Sequence, residues 1–135
     1  MTFQLHDQLA ADTWTVRDLA LCRVLLMNDA RYPWLILVPR RAGLRDFHDV
    51  ATADKSIFLA EIDLASHVLK VDTGAFKINV GALGNMVPQL HVHVIARFEA
   101  DAAWPKPVWG IGEAVPYEPS KAGDIIERLK KGLQG

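Results

Sequence analysis

Residues 84–97 read G-N-M-V-P-Q-L-H-V-H-V-I-A-R, and this stretch decides the fold of the chain. Apolar and polar residues alternate here, which is typical of a β-strand, and we predict one over residues 90–98. Side chains of a strand point alternately to its two faces, so Gln89, His91 and His93 point the same way. The opposite face carries apolar side chains: Leu90, Val92 and Val94. We expect the apolar face to pack on the core beneath a helix.

The polar face of this strand carries two imidazoles, His91 and His93. A neutral imidazole is a good nucleophile whose pKa lies near working pH. Attack on a phosphate ester needs one ring nitrogen free and the other held by an acceptor, and a neighbouring histidine can protonate the departing oxygen. The preceding residues Gly81, Gly84 and Asn85 predict a loop whose backbone N–H groups could surround a phosphate. The pattern indicates phosphoryl or nucleotidyl transfer.

Two other interpretations of His91 and His93 stay open at this point. A His-x-His strand also occurs as an exposed polar face or as part of a metal site. Zinc sites use four protein ligands, or three and a water molecule, and no Cys, Asp or Glu lies at suitable local spacing, although a distant one could fold in. The remaining histidines lack this spacing and are expected at the surface or at helix ends: His6, His48 and His67.

The rest of the chain predicts an α+β architecture. Two strands, 21–27 and 34–38, are separated by a turn and predict an antiparallel hairpin. Apolar residues at three- and four-residue steps predict a helix from 52 or 54 to about 70. The remaining predicted elements are a strand at 75–80, a helix at about 120–131, a weakly indicated helix within 3–12, and an irregular, proline-rich segment at 101–119.

Length, charge and cysteine content limit the possible functions. At 135 residues the chain fits one domain. Its net charge of −1 argues against general nucleic-acid binding and against binding to an anionic membrane. The single cysteine, Cys22, excludes an intrachain disulfide, the start does not resemble a signal peptide, and the apolar runs are too short to cross a bilayer. We therefore expect a cytoplasmic protein.

Residues 84–97 resemble the signature of the histidine-triad (HIT) family, His-φ-His-φ-His-φ-φ with φ apolar. The order strand–strand–helix–strand–strand over residues 20–97, with Leu-Val-Pro-Arg at 37–40 and Arg-Asp-Phe-His-Asp at 45–49, is also similar to that family. The resemblance implies an antiparallel five-stranded sheet with one main helix on a face and a C-terminal helix. It further implies a single domain over residues 1–135, with a core at about 14–100 and a C-terminal extension at 101–135.

The same resemblance implies an enzyme that forms homodimers and needs no cofactor or metal. The implied reaction is hydrolysis or transfer at the α-phosphate of a dinucleoside polyphosphate or a nucleoside phosphoramidate, through a nucleotidyl-histidine intermediate. The alternative is a HIT-like module that binds nucleotides with little or no turnover.

By position, the nucleophile of the family falls on His91 and the third triad histidine on His93. The first falls on Gln89, and this is a departure. The first residue is expected to support the nucleophile through its backbone carbonyl, which any residue supplies. The nucleotide and phosphate contacts implied by position are Asn28, Gly84, Asn85 and Met86.

Two further departures are Met86, where a Ser or Thr is frequent, and Trp34, where the family has another histidine. The two tryptophans of segment 101–119, Trp104 and Trp109, could either stack on a nucleobase or pack against the protein, and we expect packing.

Overall fold

The computed structural model describes residues 2–134, which contain one antiparallel sheet of five strands in the order β1-β2-β3-β5-β4. In chain order the elements are α1 (Asp7–Asp12), β1 (Thr13–Asp18), β2 (Cys22–Met27), β3 (Trp34–Pro39), α2 (Thr52–Thr73), β4 (Lys77–Gly81), β5 (Val92–Arg97) and α3 (Pro119–Gly132). A single 3₁₀ turn, Phe47–Asp49, precedes α2. The predicted α+β class and the five-stranded sheet are confirmed.

Strand β5 lies inside the sheet, between β3 and β4, and all six of its residues are buried. One face, with Val92 and Val94, packs in the core formed with α2 and α3. The opposite face carries His93 and belongs to a second apolar cluster that includes Trp34 and Ile95. The predicted alternation is therefore confirmed. The strand itself begins at Val92, two residues later than predicted, because Gln89 and His91 lie in the preceding loop.

The two long helices cover the face of the sheet that carries Val92 and Val94. Helix α2 buries a row of side chains at three- and four-residue spacing: Phe58, Glu61, Ala65 and Leu69. It continues to Thr73, three residues beyond the predicted end, and stops at Gly74, whose φ of 68° gives the left-handed cap that terminates many helices. Among the described residues, every helix is too short or too polar to cross a membrane.

Strand β1 was not predicted from the residue pattern; the fifth strand was expected from the resemblance alone. β1 pairs with β2, but its register shifts between Thr15 and Arg17. A bulge of this kind interrupts the alternation by which strands are recognised, and only Val16 of the strand is fully buried. The helix predicted within residues 3–12 is present as α1.

Segment 101–119 is irregular, as predicted, but it is tied to the sheet by hydrogen bonds. Arg97 of β5 holds the Asp101 carboxylate at 2.8 Å and donates to the carbonyl of Lys106 at 2.7 Å. The far end is held by the side chain of Asn28, which accepts from the backbone N–H of Tyr117 at 2.8 Å. The first part of the segment, with Ala103, Val108 and Trp109, packs on the sheet face opposite α2, where Trp109 lies next to His93.

Candidate active site

His91 has one ring nitrogen bound to the protein and one unbound. Its Nδ1 lies 2.7 Å from the carbonyl oxygen of Gln89. A carbonyl only accepts hydrogen bonds, so Nδ1 carries the proton. In the neutral ring Nε2 then has its lone pair free, and within residues 2–134 no side chain or backbone group bonds to it. This arrangement is the one expected for the nucleophile, and it uses the backbone of Gln89.

His93 has the opposite arrangement. The indole Nε1–H of Trp34 donates to its Nδ1 at 3.0 Å, so Nδ1 is an acceptor and the proton of the neutral ring is on Nε2. Burial, followed by the repulsion of His91, lowers the pKa of His93 from 6.5 to about 4. At neutral pH His93 is therefore an uncharged donor through Nε2–H. The role predicted for this neighbouring histidine, protonation of the departing oxygen, stays a prediction.

Aromatic rings hold His93 on three sides. The ring centroid of His93 lies 5.6 Å from that of Trp34, 5.2 Å from that of Trp109 and 4.9 Å from that of His91, all in edge-to-face arrangements. The two tryptophans also contact each other, with centroids 6.4 Å apart. Edge-to-face packing of this kind fixes the orientation of a ring. The packing role expected for Trp109 is therefore present, and it is packing against a candidate catalytic residue.

Both histidines line a cavity of about 290 Å³. Its other lining residues come from the end of β2, the start of β3, the glycine loop and the C-terminal segment: Met27, Trp34, Leu83, Gly84, Asn85, Met86, Val87 and Trp109. Most of this surface is apolar, and the described chain contributes no Lys or Arg to it. Binding sites for small molecules commonly combine such an apolar wall with a few polar groups.

The glycine loop forms one side of the cavity. Gly84 has a φ of +76°, a left-handed conformation that side chains disfavour. Over residues 2–134, the backbone N–H groups of Gly84, Asn85 and Met86 form none of the hydrogen bonds within the chain. Such unused N–H groups are available for an anion. The predicted phosphate contacts Gly84, Asn85 and Met86 thus lie together with His91 and His93.

Two predicted site residues have their side chains bound elsewhere. The Gln89 amide accepts from the backbone N–H of His6 at 2.8 Å and donates to the carbonyl of Gln4 at 2.9 Å. Asn28 follows Met27, which lines the cavity, but its own side chain holds Tyr117. A direct role of Asn28 toward a nucleotide stays a prediction.

Sequence reasoning did not place three lining residues in the site: Met27, Leu83 and Val87. Each is an apolar residue next to a motif residue in the sequence. That adjacency was the only sequence feature that could have placed it in the cavity. Trp34 and Trp109 were singled out, but the contact that each makes with His93 had no sequence signal.

Within residues 2–134, no third His, Cys, Asp or Glu joins His91 and His93 in a group that could hold a metal ion. In the part of the chain that the structure describes, the only group of three close metal-binding side chains is Asp46, His48 and Asp49, and all three are exposed. The Asp49 carboxylate in this group already accepts from the backbone N–H groups of Arg45 and Asp46.

The fold and the site define a class of small α+β proteins that present paired histidines beside a glycine loop on a five-stranded sheet. The chain belongs to the HIT domain family, whose model matches residues 8–100. Members of this family are generally nucleotide hydrolases or transferases.

Three solved structures are similar to the chain over almost its whole length. A histidine triad protein from Sinorhizobium meliloti is 46% identical, with a TM-score of 0.95 and 97% of each chain covered. One from Marinobacter aquaeolei is 44% identical, with a TM-score of 0.96 and coverage of 99% of this chain and 98% of the other. One from Bradyrhizobium japonicum is 41% identical, with a TM-score of 0.96 and coverage of 98% and 99%. No curated protein sequence was found to match the chain significantly.

Proposed function

We propose that this protein is a nucleotide hydrolase or nucleotidyltransferase that acts at the α-phosphate of its substrate, with His91 as nucleophile. The observation that carries the proposal is the 2.7 Å contact from His91 Nδ1 to the Gln89 carbonyl. This contact leaves the Nε2 lone pair of His91 free in a residue that lines the cavity. The substrates we propose are dinucleoside polyphosphates or nucleoside phosphoramidates.

The reaction would proceed in two displacements. First, the Nε2 lone pair attacks the α-phosphorus, and the bond from phosphorus to the leaving group breaks, with its electrons going to the leaving atom. A phosphate group leaves as the anion, and an amine leaves after its nitrogen has taken up a proton from solvent. The resulting nucleotidyl-imidazole is cationic until the P–N bond is cleaved, and the Gln89 carbonyl stabilises it by accepting from Nδ1–H. Water then attacks phosphorus and releases a proton to solvent, while the bond from phosphorus to Nε2 breaks with its electrons returning to Nε2, which restores neutral His91. In a transferase another acceptor attacks in place of water.

The other candidate site residues would bind the phosphate. His93 would donate from Nε2–H to a phosphate oxygen, and the N–H groups of Gly84, Asn85 and Met86 would surround the same group. Gln89 would occupy the first triad position and act through its carbonyl, which explains how glutamine can stand there. No cofactor or metal ion is needed for these steps.

The test compares wild type with His91→Ala on a dinucleoside polyphosphate and on an adenosine phosphoramidate. We expect turnover to fall by about three orders of magnitude or more, because without its nucleophile the enzyme loses all of the lowering of the activation free energy that this residue provides. Mass spectrometry of quenched wild type should detect a nucleotidyl adduct on His91. The matched control is His67→Ala, which removes an exposed imidazole from α2 and should keep full turnover. Equal turnover in wild type and His91→Ala would exclude the proposal.

A nucleotide-binding module with little turnover is the second candidate. Two observations favour it: Met86 supplies no hydroxyl to a phosphate, and no cationic side chain of the described residues lines the cavity. Saturable binding of AMP to wild type, combined with no turnover of either substrate, would favour this candidate over the enzyme.

We also propose that a second copy of the chain is a partner and that the protein is cytoplasmic. Strand β4 is at the edge of the sheet, and no strand of the described residues pairs with its outer side. The exposed apolar side chain of Val80 lies in this strand, and that of Phe76 directly precedes it. Pairing of two such edges would join two five-stranded sheets, as the resemblance implies. Light scattering coupled to gel filtration measures the mass directly, and a monomer of 15.0 kDa would contradict the dimer.

A further inference from the structure

Trp34 is a buried tryptophan that makes a specific hydrogen bond to a candidate catalytic residue. It is 4% exposed and begins β3, where it pairs with Ile95 of β5. Its indole Nε1–H reaches Nδ1 of His93 at 3.0 Å, and the two rings meet at an angle of 60°. An indole N–H donates and cannot accept. The contact therefore allows only one tautomer of neutral His93.

We propose that Trp34 is a positioning residue: it fixes His93 as the Nε2–H tautomer, so that His93 always presents a donor to the phosphate in the cavity. The phosphate part of this inference rests on the proposed function, whereas the tautomer does not. An imidazole without a partner at Nδ1 exchanges between two tautomers. In the Nδ1–H form it would present a lone pair, which repels a phosphate oxygen.

Among residues 2–134, the other two rings that contact His93 do not make this hydrogen bond. His91 uses its Nδ1–H for the Gln89 carbonyl. The indole Nε1 of Trp109 has no hydrogen-bond partner among residues 2–134, although its ring is as close to His93 as that of Trp34. The two tryptophans thus enclose the same imidazole, but only Trp34 contributes a directed hydrogen bond. This difference provides a matched pair of variants.

The experiment is long-range ¹H–¹⁵N correlation NMR on protein labelled with ¹⁵N-histidine, at pH 7. For wild type we expect an acceptor-type Nδ1 and a protonated Nε2 at His93. Trp34→Phe keeps an aromatic ring but removes the donor, and its Nδ1 and Nε2 resonances should move toward the average of the two tautomers. Trp109→Phe should keep the wild-type pattern. An Nδ1–H tautomer in wild type, or identical His93 resonances in wild type and Trp34→Phe, would overturn the inference.

Activity gives the second measurement. The kcat for the adenosine phosphoramidate should fall by about a factor of two in Trp34→Phe, because an imidazole that exchanges between both tautomers presents the donor form only about half of the time. The wild-type spectrum remains decisive if Trp34→Phe does not fold. If wild type has no turnover, the proposed function fails, and the phosphate part is then tested by adding AMP: the His93 Nε2–H proton should shift in wild type. If that proton does not shift, His93 does not donate to the phosphate. The Nδ1 and Nε2 resonances of His93 would still show which tautomer is present.

Discussion

The cavity has two unlike walls. The sheet wall consists of Trp34, His93 and Trp109, whose rings are packed against one another on the sheet. The loop wall consists of residues 83–87, where Met86 is 93% exposed and Leu83 is 52% exposed. In the sheet wall the Trp34 indole N–H and Nδ1 of His93 bond to each other, whereas the indole N–H of Trp109 has no partner among residues 2–134. In the loop wall the backbone N–H groups of Gly84, Asn85 and Met86 make no hydrogen bond within the same residues.

This difference separates two tasks. A wall of rings packed against one another, with a directed hydrogen bond to one of them, can hold a catalytic ring in one orientation, at a cost in stability if it is disturbed. A loop with unused donors can adapt to a phosphate and contributes less to the folded state. Changes in the sheet wall should therefore alter stability strongly, and changes in the loop wall should alter mainly turnover.

The largest effect is expected at Arg97, which anchors the sheet wall. Its side chain and that of Asp101 are 1% and 4% exposed, and the pair is 2.8 Å apart. Burial alone would raise the pKa of Asp101, but the hydrogen bonds from Arg97 and from the backbone of Phe98 and Trp104 lower it to about 2. Arg97→Met leaves this carboxylate buried without its partner, which should lower the free energy of unfolding by about 3–5 kcal/mol. Urea denaturation measures this.

The control for Arg97 is Arg23→Met. Arg23 pairs with Asp18 at the same distance, 2.8 Å, but the two side chains are 30% and 39% exposed. An exposed pair contributes below about 1 kcal/mol. Similar losses in the two variants would mean that the sheet wall is not held by Arg97.

The second prediction concerns how the free energy of unfolding changes as the pH decreases. The pKa of His93 is about 4 in the folded protein, against 6.5 for an unperturbed histidine. Between these values the unfolded chain binds a proton that the folded protein does not, so stability falls as the pH decreases from 6.5 to 4. The loss is about 3 kcal/mol from this residue. Urea denaturation across this range should show a shallower pH dependence for His93→Gln than for wild type.

His67→Gln serves as the control for removing an imidazole, because it keeps His93 and should retain the wild-type pH dependence. A wild-type pH dependence in His93→Gln would show that the sheet wall accommodates a charged His93.

The sequence predicted the parts of the site that depend on local periodicity. The alternation at Val92, His93 and Val94 assigned the faces of β5 correctly. The strand β1 was missed because its bulge breaks the period. The Gln89 carbonyl was placed at His91 by the resemblance, and a backbone carbonyl carries no residue identity that a sequence could reveal.

Contacts between distant segments could not be predicted. Trp109 is 16 residues beyond His93 in an irregular segment, and its place depends on the bonds of Arg97 to Asp101 and Lys106. The hydrogen bond from Trp34 to His93 spans 59 residues and requires the pairing of β3 with β5. The capture of the Gln89 amide by residues 4 and 6 likewise had no sequence signal.

The third prediction concerns the loop wall, at Met86. Met86→Ser introduces a hydroxyl beside the candidate phosphate site. One hydrogen bond to a charged group contributes about 1.5–3 kcal/mol, so turnover of the phosphoramidate should rise roughly ten- to hundredfold if the bond forms in the transition state. Stability should change little because the side chain is exposed. Val71→Ser, an equally apolar and 70% exposed position on α2, is the control and should leave turnover unchanged. Unchanged turnover in Met86→Ser would place the phosphate away from this side chain.

The smallest effect is expected at Gly84, where the conformation of the loop wall itself is tested. A Cβ there would lie 3.6 Å from the carbonyl oxygen of Val87, an ordinary contact, so the cost of Gly84→Ala comes from its φ of +76° and not from a clash. The left-handed conformation should cost an alanine about 1 kcal/mol.

Gly123→Ala on the exposed side of α3 meets nothing within 4 Å and should instead stabilise by about 0.5–1 kcal/mol, since alanine favours a helix. The two alanines should therefore shift the midpoint of thermal unfolding in opposite directions. Turnover should fall only in Gly84→Ala, because only there does the added methyl group disturb the N–H groups beside His91. A stabilised Gly84→Ala variant with full turnover would mean that the loop relaxes freely and that its left-handed glycine plays no part in shaping the wall.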